Sequence, residues 1–282
     1  MPLEFTKMHA LGNDYVYVCT YRQRVDEPAA LARRIADRHR GVGGDGLILI
    51  APPESPDAHV RMVLYNADGS RGQMCGNGIR CVAKYAYERG LARVNPMRVQ
   101  TDHGLLTCEL RVDAGGCVEA VRVDMGPPIL DPARIPVALP GERIVDVRIQ
   151  IEGLDLPVTC VSLGNPHAVF FVPDVGIIPL GYWGPRVERS PLFPQRTNVH
   201  FVQVLAPQRL RMVTWERGSG ITQACGTGAS AACVAGVLTG RAAHDVTVDM
   251  PGGQLAIAWD ARTRHVFMTG SATEVFTGSW PD

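Results

Sequence analysis

The chain has 282 residues, 28 basic against 28 acidic side chains and no Lys/Arg run, so it lacks the electrostatic footprint of a nucleic-acid or membrane-surface binder. No apolar stretch approaches the roughly 18–20 residues of a membrane-spanning helix, and Met1–Ala10 carries charge without the apolar core of a secretion signal. Eight cysteines with no CxxC pair argue against a disulfide framework or a zinc ribbon and for a reducing, cytoplasmic compartment, while 30 glycines and 21 prolines suit short strands joined by tight turns. In chain order, Phe5–Met8 and Tyr15–Val18 read as strands around the break Gly12-Asn13-Asp14. Pro28–Arg40 has helical spacing through Leu31 and Ile35 and is closed by Gly41. Leu47–Ile50 and Val60–Tyr65 read as strands. Ile79, Val82, Ala83 and Ala86 follow i, i+3, i+4, i+7 spacing, which predicts a helix ending at a C′ glycine, Gly90. Strands follow at Met97–Thr101, Leu105–Leu110 and Val118–Met125. Gly126-Pro127-Pro128 and Asp131-Pro132 mark a domain boundary, giving halves 1–123 and 124–269. Leu210–Trp215 is a strand, Ala229–Leu238 is a helix apolar on all sides, and Val266–Phe276 is a last strand that brings 270–282 back to complete the first half.

One six-residue phrase occurs twice. Gln73-Met74-Cys75-Gly76-Asn77-Gly78 returns as Gln223-Ala224-Cys225-Gly226-Thr227-Gly228, an offset of 150 (225 − 75). The same offset carries Arg61-Met62-Val63 onto Arg211-Met212-Val213, Tyr65 onto Trp215 and Gly90 onto Gly240. A duplication that keeps a cysteine in place points to two equivalent thiols at one substrate. Each cysteine precedes a predicted helix, whose N-terminus exposes unpaired N–H groups and partial positive charge. That position predicts thiols that ionise readily and backbone N–H groups able to hold a carboxylate. Two such thiols on opposite faces of one α-carbon can invert it, one removing the proton and the other delivering one. No pyridoxal-binding lysine motif occurs, and Lys7 and Lys84 are the only lysines. Cys19, Cys81, Cys108, Cys117, Cys160 and Cys233 read as small buried hydrophobes. Two low-pKa thiols facing each other also predict that Cys75 and Cys225 can oxidise together.

Around these residues the sequence resembles the diaminopimelate epimerase family over nearly its whole length. The likeness rests on Met8-His9-Ala10-Leu11-Gly12-Asn13-Asp14, Asn66-Ala67-Asp68-Gly69-Ser70, Cys75-Gly76-Asn77-Gly78-Ile79-Arg80-Cys81, Gly164-Asn165-Pro166-His167 and Glu216-Arg217-Gly218. The resemblance implies an α/β (α+β) fold of two pseudo-symmetric halves, each a mostly antiparallel sheet wrapped round a central helix, with the site in the cleft between them. It implies conversion of LL- to meso-diaminopimelate for lysine and peptidoglycan precursors, by a homodimer using no cofactor and no metal. Cys75 and Cys225 are then the acid and base. Gly76, Asn77, Gly226 and Thr227 bind the reacting carboxylate. Asn13, Asn66, Asn165, Asn198, Glu216 and Arg217 hold the distal, unreactive centre, and His167 and Glu216 tune the thiols. Arg217 can grip a carboxylate bidentately and Glu216 can take an ammonium. Taken alone, each asparagine also reads as a turn or cap residue, and His167 as an exposed loop histidine. Gly46 stands where some members place a substrate-contacting glutamine, so no side-chain contact is expected there. His200 is given no role.

Three other readings share parts of the pattern. A proline or hydroxyproline racemase would use the same thiol pair but has no need of the Glu216-Arg217 clamp. A redox or metal protein would want further ligands beside the two thiols. A non-catalytic relative would be expected to lack one cysteine.

Overall fold

A computed structural model of the chain describes residues 2–281. The chain divides into two compact units, 1–123 with 269–282, and 124–268. In the first unit the elements run β1 (Leu3–Ala10), β2 (Asn13–Cys19), α1 (Pro28–Ile35), β3 (Gly46–Ala51), β4 (Val60–Asn66), β5 (Arg71–Gly72), α2 (Gly76–Glu88), β6 (Met97–Thr101), β7 (Gly104–Val112) and β8 (Val118–Asp124). The second unit follows with β9 (Val147–Ile151), β10 (Leu154–Ser162), β11 (Pro166–Phe171), α3 (Leu180–Glu188), β12 (Asn198–Ala206), β13 (Arg209–Glu216), β14 (Gly220–Thr222), α4 (Gly226–Leu238), β15 (Asp245–Met250) and β16 (Gly253–Trp259). β17 (Val266–Gly270) then leads the chain to β18 (Thr273–Trp280), which pairs antiparallel with β1.

The duplication seen in the cysteine phrase extends through the sheets. In the first unit β1 pairs antiparallel with β2, β2 parallel with β3, β3 antiparallel with β4, β4 parallel with β6 and β6 antiparallel with β7. In the second, β10, β11, β12, β13, β15 and β16 repeat that alternation step for step. The strands curl round a helix in each case. α2 packs against β1, β2, β3, β4, β6 and β7, and α4 against β10, β11, β12, β15 and β16. Gly226–Gly236 of α4 is buried without a break, so a helix of Gly, Ala and Ser lets the sheet approach from all sides. On the other face of each sheet lies a second helix. Leu31, Ala32 and Ile35 of α1 pack on Phe5, Val16, Val18, Leu47, Leu49 and Val63. Val187 and Trp183 of α3 pack on Phe170, Val199, Phe201 and Trp215.

Some elements differ from their sequence reading for local reasons. The helix predicted over Pro28–Arg40 stops at Ile35, because the Asp37 carboxylate accepts the N–H groups of His39 and Arg40 and folds the chain into a turn. The strand predicted over Val266–Phe276 is two strands, broken at Ser271-Ala272. Gly90 and Gly240 close α2 and α4 at φ 72° and 68°, the left-handed conformation a C′ glycine supplies.

Candidate active site

The same backbone geometry presents the two thiols. Cys75 is the N-cap of α2 at φ −136°, ψ 113°, and Cys225 is the N-cap of α4 at φ −126°, ψ 106°. Both helices have 13 residues. Their first intrahelical bonds run from Ile79 to Cys75 and from Ala229 to Cys225. The N–H groups of Gly76, Asn77, Gly226 and Thr227 therefore lie outside the helical ladder, aimed past the cap as an anion-binding turn requires.

In the first unit, the Gly78 N–H donates to Cys75 Sγ at 3.3 Å, and the thiol reaches Asn13 Oδ1 at 3.3 Å. Asn13 is itself held by Asp45, Nδ2 to Oδ2, 2.7 Å. Asn77 is buried and accepts from Arg80 at 3.0 Å. Asn66 stands apart from this chain of bonds, with its amide turned to Ser70 Oγ at 2.9 Å. A side chain at Gly46 would put its Cβ 2.1 Å from the Tyr65 carbonyl oxygen, so the backbone here admits none.

The second unit gathers more of the expected residues into one hydrogen-bonded line. Cys225 Sγ lies 3.6 Å from Thr227 Oγ1, and Asn165 Nδ2 donates to Thr227 Oγ1 at 3.4 Å. His167 Nε2 is 2.9 Å from Asn165 Oδ1, its Nδ1 is 2.8 Å from His200 Nε2, and His200 Nδ1 is 3.0 Å from Thr214 Oγ1. His167 is fully buried on β11 and is not a loop histidine. Asn198 links the two ends of the site, donating to the Pro166 carbonyl at 2.8 Å and accepting the Arg217 N–H at 2.9 Å. Arg217 also reaches the Gln195 carbonyl at 3.2 Å, and Glu216 accepts from Thr222 at 2.6 Å.

Three residues here carried no role in the sequence reading. His200 and Thr214 extend the line from His167, and Glu188 of α3 holds the Glu216-Arg217-Gly218 turn. Glu188 is buried, accepts from Trp215 Nε1 at 2.7 Å and takes the Gly218 N–H at 3.0 Å. The signal for His200 was available: Asn198 and His200 are two apart on one strand and so share a face.

At Cys225 the thiol chemistry departs from expectation. Burial, and then the charge of Glu216, push the Cys225 thiol well above its ordinary value, against the opposing hydrogen bond of Thr227. In this protein the helix N-terminus does not by itself make Cys225 acidic. Of the six other cysteines, Cys81, Cys108, Cys160 and Cys233 are buried as predicted, Cys19 is half-buried, and Cys117 is exposed.

The two histidines give a pH dependence. Burial holds His200 down to about 3, and burial together with His200 and Arg217 holds His167 well below 6.5. The unfolded chain protonates both near pH 6.5 while the folded chain does not, so the unfolded state binds more protons below that pH. Stability is therefore full above pH 6.5 and declines as pH falls from 6.5 towards 3, by up to about 1.4 kcal/mol per pH unit for each histidine. Urea midpoints at pH 7.5 and 5.0 check this: His200→Gln is expected to flatten the acid-side slope.

Among the described residues no helix is long and apolar enough to cross a membrane. Solved structures with this fold include a Bacillus anthracis phenazine biosynthesis protein of the PhzF family, at TM-score 0.74 and 15% identity over the full length of both chains. Another is a probable proline racemase from Agrobacterium radiobacter, at TM-score 0.72 and 17% identity over 98% of this chain and 92% of that one. Sequence relatives are much closer. Diaminopimelate epimerase from Moorella thermoacetica is 51% identical over 99% of both chains, and that from Acetivibrio thermocellus is 49% identical over 98% of both. Residues 5–130 and 159–275 match the family described as diaminopimelate epimerase. On matches of this extent and identity, the chain belongs to the diaminopimelate epimerase family.

Proposed function

We infer that this protein is an isomerase that converts LL-2,6-diaminopimelate to meso-diaminopimelate, serving lysine and peptidoglycan precursor synthesis. The observation that carries the reading is the pair of N-cap cysteines, alike in backbone geometry, in duplicated halves of a chain about half identical to diaminopimelate epimerases over its whole length. One thiolate removes the α-proton, the charge that develops is stabilised where the carboxylate meets preorganised N–H donors, and the other thiol delivers a proton to the opposite face. The proton inventory is unchanged and the two cysteines exchange protonation states.

Gly76, Asn77, Gly226 and Thr227 hold the reacting carboxylate. Asn13, Asn66, Asn165, Asn198, Glu216 and Arg217 hold the distal amino and carboxyl groups. His167 keeps Asn165 and Thr227 set against Cys225, and Glu216 keeps that thiol protonated. The chemistry needs no cofactor or metal, since two matched acid–base groups suffice. A cytoplasmic homodimer, acting on a free amino acid and on neither nucleic acid nor membrane, completes the reading.

Proton NMR in deuterium oxide tests it. With LL-diaminopimelate the α-proton signal is expected to disappear as meso product forms, and with L-proline nothing is expected to change. Exchange with proline alone would keep the thiol pair and overturn the substrate. Arg217→Lys is expected to lower kcat/KM for diaminopimelate by roughly 10- to 100-fold, because lysine lacks the planar fork. It should also narrow the preference over one-headed amino acids, and an unchanged preference would remove Arg217 from the distal site.

A further inference from the structure

The two halves are alike in backbone but not in charge beneath their cysteines. Five residues beyond Cys75, Arg80 is fully buried, one of the largest such side chains in the molecule. Its guanidinium turns back under the first turn of α2. Nη1 donates to the Gly76 carbonyl at 3.1 Å, Nη2 to Asn77 Oδ1 at 3.0 Å and Nε to the Ser271 carbonyl at 3.2 Å. These bonds hold the guanidinium inside the unit, beside the two residues that follow Cys75.

The offset of 150 (230 − 80) carries Arg80 onto Ser230. Ser230 is also fully buried, and its hydroxyl donates to the Gly226 carbonyl at 3.0 Å, the counterpart of Gly76. The two side chains thus make the same bond to the same helical carbonyl, one charged and one neutral.

We propose that Arg80 is a positioning residue that biases Cys75 towards thiolate, so that the resting enzyme holds Cys75 as base and Cys225 as acid. The proposal rests on the reading of both cysteines as the acid–base pair. The proton that Cys75 gives up in the resting state goes to solvent, and the charge left on sulfur faces the positive end of α2, reinforced by the guanidinium.

Four of the groups packed around the pair carry no charge at neutral pH. Tyr15 and Tyr17 of β2, Cys81 of α2 and Cys108 of β7 surround the pair, and burial keeps all four neutral at pH 7: both tyrosines well above 10, Cys81 at about 11, Cys108 at about 12. Burial lowers the Arg80 guanidinium from its ordinary value, and Cys81 and then Cys75, when ionised, oppose this. Asp45 is an anion linked to the thiol through Asn13, and Arg38 engages it at 3.0 Å. Lys84, one turn further along α2, is engaged by Glu88 at 2.7 Å. In the second unit, Glu216 opposes ionisation of Cys225.

The test is the pH dependence of iodoacetamide alkylation, read separately at Cys75 and Cys225 by peptide mass spectrometry. In the wild-type protein the Cys75 midpoint is expected below that of Cys225. Arg80→Gln keeps N–H donors for Gly76 and Asn77 but removes the charge. It is expected to raise the Cys75 midpoint by roughly one to three pH units while leaving Cys225 unmoved, and Arg80→Lys is expected to restore most of the shift. A wild-type Cys75 midpoint at or above that of Cys225, or no rise in Arg80→Gln, overturns the proposal. A rise shared equally by both cysteines would mean general loosening and overturns it as well. If Arg80→Gln does not fold, the wild-type order of midpoints and the Arg80→Lys profile decide.

Alkylation needs no substrate. Ordered midpoints without epimerisation would sink the substrate assignment alone, and epimerisation without ordered midpoints would sink the role of Arg80 alone.

Discussion

Cys75→Ala and Cys225→Ala are each expected to lower kcat/KM for epimerisation by at least about 10³-fold, the range for losing a positioned proton carrier. Neither change threatens the fold. Both residues sit at helix N-caps, where alanine keeps the backbone; only Cys75 has a side-chain cap bond to lose, at a cost of roughly 1 kcal/mol. The loss is chemical: with one thiol gone, one face of the α-carbon has no group to take or give a proton. The measurement is meso product formation by NMR, with circular dichroism as the check on folding. The two variants are expected to be equally inactive, because each turnover uses both thiols. If either one epimerised at the wild-type rate, the two-base mechanism would be wrong.

Gly228→Ala is expected to destabilise the protein by about 1–3 kcal/mol, the usual cost of overpacking a filled core, and to cut activity in the fraction that folds. A Cβ at this position would lie 2.3 Å from His200 Cε1 and 2.8 Å from Nε2. The imidazole has little room to yield, since both its nitrogens are engaged, by His167 at 2.8 Å and Thr214 at 3.0 Å. Moving it pulls on the line that ends at Thr227 and Cys225. Gly181→Ala is the control. It lies in α3, where the nearest atom to a new Cβ is Ile221 Cδ1 at 3.9 Å, and alanine favours a helix over glycine. Urea unfolding is expected to separate the two variants clearly, with Gly181→Ala at or slightly above wild type. Equal midpoints would mean that His200 can move freely and that the line does not constrain the site.

Much of this architecture was legible in the sequence because it is written twice. The cysteine phrase located the starts of α2 and α4, and the glycines 15 residues on located their ends. Periodicity found α2 because one face is apolar and the other is not, whereas α4 was readable only as a helix buried on all sides. The helix α3 was missed. Gly181, Gly184 and Pro185 speak against a helix locally, yet Gly184 is required because a Cβ there would lie 2.5 Å from the Trp215 ring. The repeat held the missing signal: α1 shifted by 150 falls on 178–185, overlapping Leu180–Glu188. At the site, single residues carried the motif readings but the links between them did not. Whether His167 is exposed, or Cys225 acidic, depends on strands and charges brought up from elsewhere in the sequence, such as β12 with His200 and β13 with Glu216. Short-range pattern has no access to such contacts.

The pairing of β18 with β1, Leu3 opposite Trp280 and Thr6 opposite Thr277, sets an order of events during synthesis. A ribosome that has just added Met268 has delivered every residue of the second unit and still withholds the strand that covers β1. The half begun first is therefore the half finished last. While it waits, β1 offers an unpaired edge of backbone donors and acceptors, the kind of surface that recruits other chains. It also has a pairing across nearly the whole length of the chain still to make, a slow step by loop entropy. Losing β18, Thr273–Trp280, would thus injure the amino-terminal unit, although the carboxy-terminal unit stands next to it in the sequence.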